Sequence, residues 1–441
     1  MTLAPSGSNS DAFWMPFTPH RAFRANPRMF SAAEGAYYRT QDGRQVLDSI
    51  AGLWCVNAGH AQPHIVRAIQ EQAARLDFVS CFNMGHAAAF ELASRIAALA
   101  PASLDHIFFV NSGSEACDTA LKIARAYQRA IGQGQRTLLV GRERAYHGVG
   151  WGGQSVGGLA KHRRDFSPML GQTAHLPLPY DREVSAFSWG QPEHGAHYAD
   201  ALLDLMVVHD PSTIAAVIVE PVVGSGGVFP PPKGYLQRLR EICDAHGILL
   251  IFDEVITGFG RLGTPFAAEA LGVTPDLITC AKGMTNGAVP MGGVIVSDRV
   301  FQAFLDRPDG GIEFLHGYTY SAHPLACAAG LATLDVYRDQ DLFNRAGRMA
   351  EPWGRAAHSL EGVRHVRDVR NIGLLCGVDL APRPGAPAGA RGGEVNQLCF
   401  EAGILVRNAA DTLMLSPPFI ITDEEIGRVF DTLATVLARV D

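Results

Sequence analysis

Six short runs, almost wholly apolar, recur along the middle of the chain at 107–110, 137–140, 214–219, 248–252, 277–280 and 294–296, each bounded by turn residues and separated by helically spaced stretches. A strand that is apolar throughout has both of its faces covered, which is the condition of a mostly parallel sheet with helices packed on either side. The predicted fold class is therefore α/β, with this sheet in a large domain. From about residue 330 the pattern changes, and 365–369, 373–379, 403–406 and 412–415 read as strands of a mixed layer. Residues 381–393 read as a surface loop. A closing helix follows over 423–440, where Thr422 and Glu425 have capping-box spacing. Near the start, 37–40 and 45–48 flank Asp42-Gly43, a dipeptide that favours a tight hairpin. These patterns divide the chain into residues 1–60, an aromatic-bearing arm with part of a small domain; 61–330, the large domain; and 331–441, the rest of a small mixed α/β domain built from both chain ends.

Composition narrows the function. The 441 residues carry a net charge of −7, and of the 37 basic residues only four are lysine: Lys122, Lys161, Lys233 and Lys282. Phosphate backbones are bound by concentrated Lys and Arg, so nucleic acid is not an expected partner. The compact basic cluster Lys161, His162, Arg163 and Arg164 lacks an interleaved stacking platform and reads as a solvated loop face. No apolar run reaches ten residues, against roughly 18 for a bilayer span, and residues 1–14 lack the basic and apolar regions of a secretory leader. The expectation is a cytoplasmic protein with no membrane partner. Eight scattered cysteines suggest buried reduced thiols, without a CxxC site. Among 16 histidines no HxH or HExxH spacing occurs, so no metal is expected, and His147, His316 and His323 read as site-wall or capping residues.

Ligands of open parallel sheets bind beyond the carboxyl ends of the strands, so the residues after each run matter most. Run 107–110 leads into Asn111-Ser-Gly-Ser-Glu115 and a helix whose apolar face is Ala116, Ala120, Ile123, Ala124 and Tyr127. Its start is either a phosphate site at Gly113 and Ser114 or an ordinary serine cap. Run 248–252 leads to Asp253 and run 277–280 to Lys282, which a crossover brings to the same edge. They form either a structural ion pair or the lysine and carboxylate of a pyridoxal phosphate site, where the amine forms a Schiff base and the acid pairs with the pyridinium nitrogen. The other lysines fit an amine role poorly. Lys122 reads as an exposed partner of Asp118 one turn before it, Lys161 sits in the basic loop, and Lys233 follows three prolines. Run 214–219 ends in Glu220, a further carboxylate at that edge. Run 137–140 is followed by Tyr146, which either lies flat on a planar cofactor or simply packs. Gly148, Gly150 and Gly153 spell the dinucleotide fingerprint but start eight residues after the strand, so they do not form its turn into a helix.

Asn111-Ser-Gly-Ser-Glu-Ala, Tyr146-His-Gly, Glu220-Pro, Asp253-Glu-Val-Ile-Thr-Gly-Phe-Gly-Arg261 and Ala281-Lys-Gly occur in order over nearly the whole chain. Together they resemble the class III aminotransferases, pyridoxal 5'-phosphate enzymes of fold type I. Trp14-Met-Pro-Phe-Thr, Gly52-Leu-Trp-Cys and Gly317-Tyr-Thr-Tyr-Ser-Ala-His-Pro324 are most similar to the ω-amino acid:pyruvate, or β-alanine:pyruvate, members. The resemblance implies that Lys282 holds the cofactor covalently, Asp253 binds its ring nitrogen, Gly113 and Ser114 hold its phosphate, and Tyr146 stacks on the ring with Val255 against the other face. It also implies that Glu220 supports the site and that Thr319 reaches the phosphate of a neighbouring subunit in a homodimer or dimer of dimers. Trp54 would line the substrate pocket, and Arg407 would meet a substrate carboxylate. The implied reaction moves an amino group from an ω-amino acid such as β-alanine, or a related amine, to a keto acid such as pyruvate. Alternatives are another class III reaction (a broad amine:pyruvate transaminase, an aminomutase or a decarboxylating transaminase), a nicotinamide oxidoreductase using the glycines near 150, and a catalytically inactive relative.

Overall fold

The computed structural model describes residues 12–306 and 311–441; the first eleven residues of the expected arm lie outside the described residues. Seven strands form the central sheet, in the order His106–Val110, Gly292–Val296, Leu277–Cys280, Leu249–Asp253, Ile214–Val219, Leu138–Arg142, Thr173–Leu176. Four neighbouring pairs are parallel, from Leu277–Cys280 across to Thr173–Leu176. Gly292–Val296 runs antiparallel to both of its neighbours. Its first residue, not its last, therefore faces the carboxyl edge. A side chain at Gly292 would stand 2.7 Å from the Ser112 carbonyl, so glycine there lets the loop after His106–Val110 close down on the sheet.

The apolar runs are two-faced because the sheet is a middle layer. Ile218, Leu249, Ile251, Leu277 and Val294 pack on one side with Ala116, Ala120, Ile123, Ala124 and Tyr127 of the helix Gly113–Ala130. Val217, Val219, Leu250, Phe252 and Ile278 point to the other side, into the larger core that includes the helix Tyr235–His246. The period-two alternation of strand side chains thus divides one continuous apolar run between two cores.

Two four-stranded sheets flank this layer. One pairs Phe30–Glu34, Tyr37–Thr40, Gln45–Asp48 and Ile404–Leu405, the last parallel to Gln45–Asp48, so residues from both ends of the chain share a sheet. The turn between Tyr37–Thr40 and Gln45–Asp48 has Gly43 at φ +88°, a left-handed position that glycine takes without a Cβ penalty. The other sheet orders Val366–Ile372, Leu375–Leu380, Thr412–Leu415 and Arg407–Ala409. The closing helix Asp423–Leu437 carries the reciprocal Thr422 and Glu425 capping box. Two readings are corrected: the 381–393 segment is not all loop, because a helix begins at Ala390, and Thr173–Leu176 is an edge strand whose half-polar pattern hid it. Among the described residues no helix is long and apolar enough to cross a membrane.

Candidate active site

Strand register assembles the first part of the site. Asp253 is the last residue of Leu249–Asp253 and sits opposite Thr279, whose hydroxyl donates to Asp253 Oδ1 at 3.0 Å. The Val255 N–H donates to the same oxygen at 3.1 Å. On Oδ2, His147 Nδ1 stands at 2.7 Å and the Cys117 thiol at 3.2 Å. Burial opposes charge on this carboxyl, yet the hydrogen bonds and charge of His147, with those of Cys117 and the Val255 amide, hold it below its ordinary value. It is a carboxylate kept ionised in a dry setting.

Lys282 follows the adjacent strand by two residues and opens a single tight turn, Lys282–Thr285, with φ +45°. A non-glycine residue held there is strained, which is common at functional positions. Burial pushes its ammonium below the usual lysine value, against the opposing pull of Cys55, Asp253 and Glu220. Its amine makes no hydrogen bond or ion pair with the described residues. The Trp54 ring lies 5.9 Å from Nζ, and the Arg407 guanidinium lies 5.4 Å from the same ring. One buried indole therefore spans the distance between the amine and the arginine.

Glu220, buried past the end of Ile214–Val219, accepts from the Tyr146 N–H at 3.0 Å and the Gly224 N–H at 2.8 Å. Burial raises its pKa. Tyr146 stands edge-on to His162 with ring centres 5.5 Å apart, and Arg407, Asp253 and Glu220 all act on its hydroxyl. At the helix start, the cap is Ser112, whose side chain accepts from the Glu115 N–H. Gly113 and Ser114 are thus first-turn residues whose N–H groups have no acceptor within the helix. A Cβ on Gly113 would stand 2.7 Å from Val255, and one on Gly148 would stand 2.5 Å from Ser114. The glycines near 150 therefore serve close packing of a loop against this helix start. Asp118 accepts from the Gly153 N–H at 2.7 Å and forms no ion pair with Lys122 among the described residues.

The chain's likeness to known proteins agrees with this geometry. Residues 21–437 match the family Aminotransferase class-III. The protein is a class III aminotransferase. This aminotransferase is 59% identical to an omega-aminotransferase of Caulobacter vibrioides, covering 99% of each chain. It is 48% identical to a beta-alanine–pyruvate aminotransferase of Pseudomonas aeruginosa, covering 99% of this chain and 98% of that one. An amine transaminase from an uncultivated Pseudomonas species, solved in a PLP-bound form, superposes with a TM-score of 0.88 at 34% identity, covering 97% of this chain and 98% of that one.

The cofactor of a class III aminotransferase is pyridoxal 5'-phosphate, and the residues fit it. An unpartnered amine with a depressed pKa suits an aldehyde, an ionised buried carboxylate suits a protonated ring nitrogen, and free N–H groups at a helix start suit a phosphate. The structure gathers Lys282, Asp253, Glu220, Tyr146, Trp54 and Arg407 into one electrostatically connected cluster, and Val255 joins Asp253 to Gly113. Thr319 is not brought in: it lies in an exposed turn beside Tyr318, whose hydroxyl is 3.4 Å from Thr119.

Sequence reasoning missed Asp253's three side-chain partners. From sequence His147 reads as a site-wall or capping residue and Cys117 as a buried reduced thiol, which it is, and Thr279 goes unremarked. The available signals were His147 directly after Tyr146, Cys117 one turn into the helix on its sheet-facing side, and Thr279 as the polar residue of an apolar strand. Glu254, next to Asp253, points elsewhere. It accepts from the Thr257 hydroxyl at 3.0 Å and the Ala268 N–H at 2.9 Å, and burial raises its pKa to about 7.

Proposed function

We propose that this aminotransferase moves an amino group from an ω-amino acid such as β-alanine, or a related amine, to pyruvate, giving malonate semialdehyde or the matching carbonyl and L-alanine. The observation that carries it is the line from Lys282 through Trp54 to Arg407, which offers an amine at one end and a cation for a substrate carboxylate at the other. The activities for which the Caulobacter and Pseudomonas relatives are named support it.

Bound pyridoxal phosphate supplies a carbonyl carbon for the donor's amine and a ring that takes up electron density. In our reading Lys282 would hold the cofactor, and its neutral amine would take the proton of the donor's amine-bearing carbon onto Nζ. Asp253, held ionised, would pair with the ring nitrogen and favour its protonated form. The N–H groups of Gly113 and Ser114 hold the phosphate, Tyr146 and Val255 confine the ring, and Glu220 fixes the Tyr146 backbone. Trp54 walls the donor pocket and excludes water, and Arg407 orients the carboxylate. Residues 61–330 are the cofactor-binding unit in this reading, with 1–60 and 331–441 forming the small domain.

We also propose a homodimer, alone or paired into a tetramer, with Thr319 reaching a second copy's phosphate. Phe82, Met84, Leu315 and Tyr320 are all more than half exposed, and Phe78 meets Tyr320 at 5.8 Å, so the segment around Thr319 carries exposed apolar side chains suited to burial. Light scattering of the purified protein checks the mass.

Spectroscopy tests the reaction. The visible cofactor band should bleach with β-alanine or an amine and return with pyruvate, with one alanine formed per pyruvate and no carbon dioxide. Bleaching by α-amino acids only, turnover without pyruvate, or release of carbon dioxide would overturn the assignment.

A further inference from the structure

Trp54 stands on an unusually strained turn. Within four residues Ala51, Gly52 and Trp54 have φ of +49°, +68° and +58°, and only one of the three is glycine. Such backbone persists only where its surroundings over-determine it, and the surroundings here are specific. Asp48, fully buried at the end of Gln45–Asp48, accepts from the Ile50 N–H through Oδ1 at 3.1 Å and from the Gly52 N–H through Oδ2 at 2.6 Å. His60 Nε2 donates to the same Oδ2 at 2.8 Å. The contact closes residues 48–60 into a ring of chain with Trp54 at its middle.

That ring is fixed on two sides. His60 exchanges backbone hydrogen bonds with Gly35 at 2.7 and 3.2 Å, and its imidazole lies against the Tyr38 ring at 4.3 Å. On the site side, Asn286 accepts from the Ala58 N–H and donates to the Gly59 carbonyl, both at 2.8 Å. Asn286 directly follows the turn Lys282–Thr285. The closed ring is therefore docked on the turn that carries the reactive lysine, while the Trp54 Nε1 is buried with no acceptor to hold it. No hydrogen bond of its own orients the indole, so its placement rests on its backbone and on the apolar side chains packed around it.

We propose that Asp48 and His60 are positioning residues that lock the turn under Trp54 and thereby set which amino donors the site accepts. The inference rests on the reading of Trp54 as the donor-pocket wall. With the lock open, the indole samples several placements, and a pocket wall that wanders weakens substrate binding more than the chemical step.

The test uses the full-length, cofactor-loaded protein and the variants D48N, H60A, H60Q and W54A. Amide hydrogen exchange over residues 50–56 is read first, then KM and kcat for β-alanine and for a bulky aryl amine. D48N and H60A should raise exchange in that segment at least ~10-fold, with the central sheet unchanged. They should shift the preference between the two donors by about tenfold, mainly through KM. H60Q, which keeps a donor at the Nε2 position, should restore both. If D48N fails to fold, H60A carries the test, since it leaves Asp48 its two backbone donors. Wild-type exchange and donor preference in H60A overturn the proposal. An unchanged preference in W54A instead overturns the pocket-wall reading, and the exchange data then decide the lock by themselves.

Discussion

His147 Nδ1 and Asp253 Oδ2 lie 2.7 Å apart with both side chains buried. An ionised carboxylate can only accept, so Nδ1 carries a proton toward it, and Nε2 is buried without a partner among the described residues. Replacing His147 with Ala removes the main hydrogen bond holding Asp253 below its usual carboxylate value. The carboxyl pKa then rises, and protonation overtakes it at higher pH. The acid limb of the kcat profile should move upward, with a rate loss of about tenfold or more near neutrality. His147→Asn, which keeps a donor near the Nδ1 position, should recover part of both.

Lys282→Ala should abolish covalent capture of the cofactor. After borohydride reduction, mass spectrometry should find the cofactor on the peptide carrying Lys282 in the native protein and on no peptide of the variant. Loss of a positioned proton carrier predicts a fall in turnover of about 10²–10⁴-fold.

Gly148 has φ +89°, and an added Cβ would stand 2.5 Å from the Ser114 Cα and Oγ. Gly148→Ala should cost about 1–3 kcal/mol in backbone strain alone and displace the helix start. Urea unfolding should show the lower midpoint. Equilibrium dialysis should show weaker cofactor retention, because the N–H groups offered to the phosphate move with Ser114.

Glu254 titrates near 7 in the folded protein against about 4.3 in an unfolded chain. A raised folded pKa means that the native state binds the extra proton. The contribution is full below the unfolded value and is lost as pH rises through the folded one. Between roughly pH 4.3 and 7 the native protein should lose on the order of 2–3 kcal/mol that Glu254→Gln does not lose. Denaturation midpoints of the two proteins at pH 5 and pH 8 measure the difference in slope.

The central sheet was legible because burial on both faces leaves no room for polar residues in runs such as 214–219 and 248–252. The direction of its antiparallel member was not, since Gly292–Val296 is as apolar as its parallel neighbours and direction leaves no mark on composition. Lys282 and Asp253 stand out by position at the strand ends, where the structure places them. Their supporting residues do not, because the partners of Asp253 come from three separate segments whose juxtaposition depends on the register between strands and on the packing of the helix Gly113–Ala130. Thr279 illustrates this: its role follows from standing opposite Asp253, a fact that no linear spacing expresses.

The two ends of the candidate site have different parentage. Asp253 and Lys282 belong to the central sheet and the turn beyond it, whereas Trp54 follows one peripheral sheet and Arg407 begins a strand of the other. In the proposed reading, chemistry and choice of molecule are carried by separate structural units that meet at the indole and at the Asn286 contacts with Ala58 and Gly59. Drift in the outer sheets can then retune what is accepted while the strand ends of the central sheet keep their geometry, provided that the seam at Asn286 is left intact.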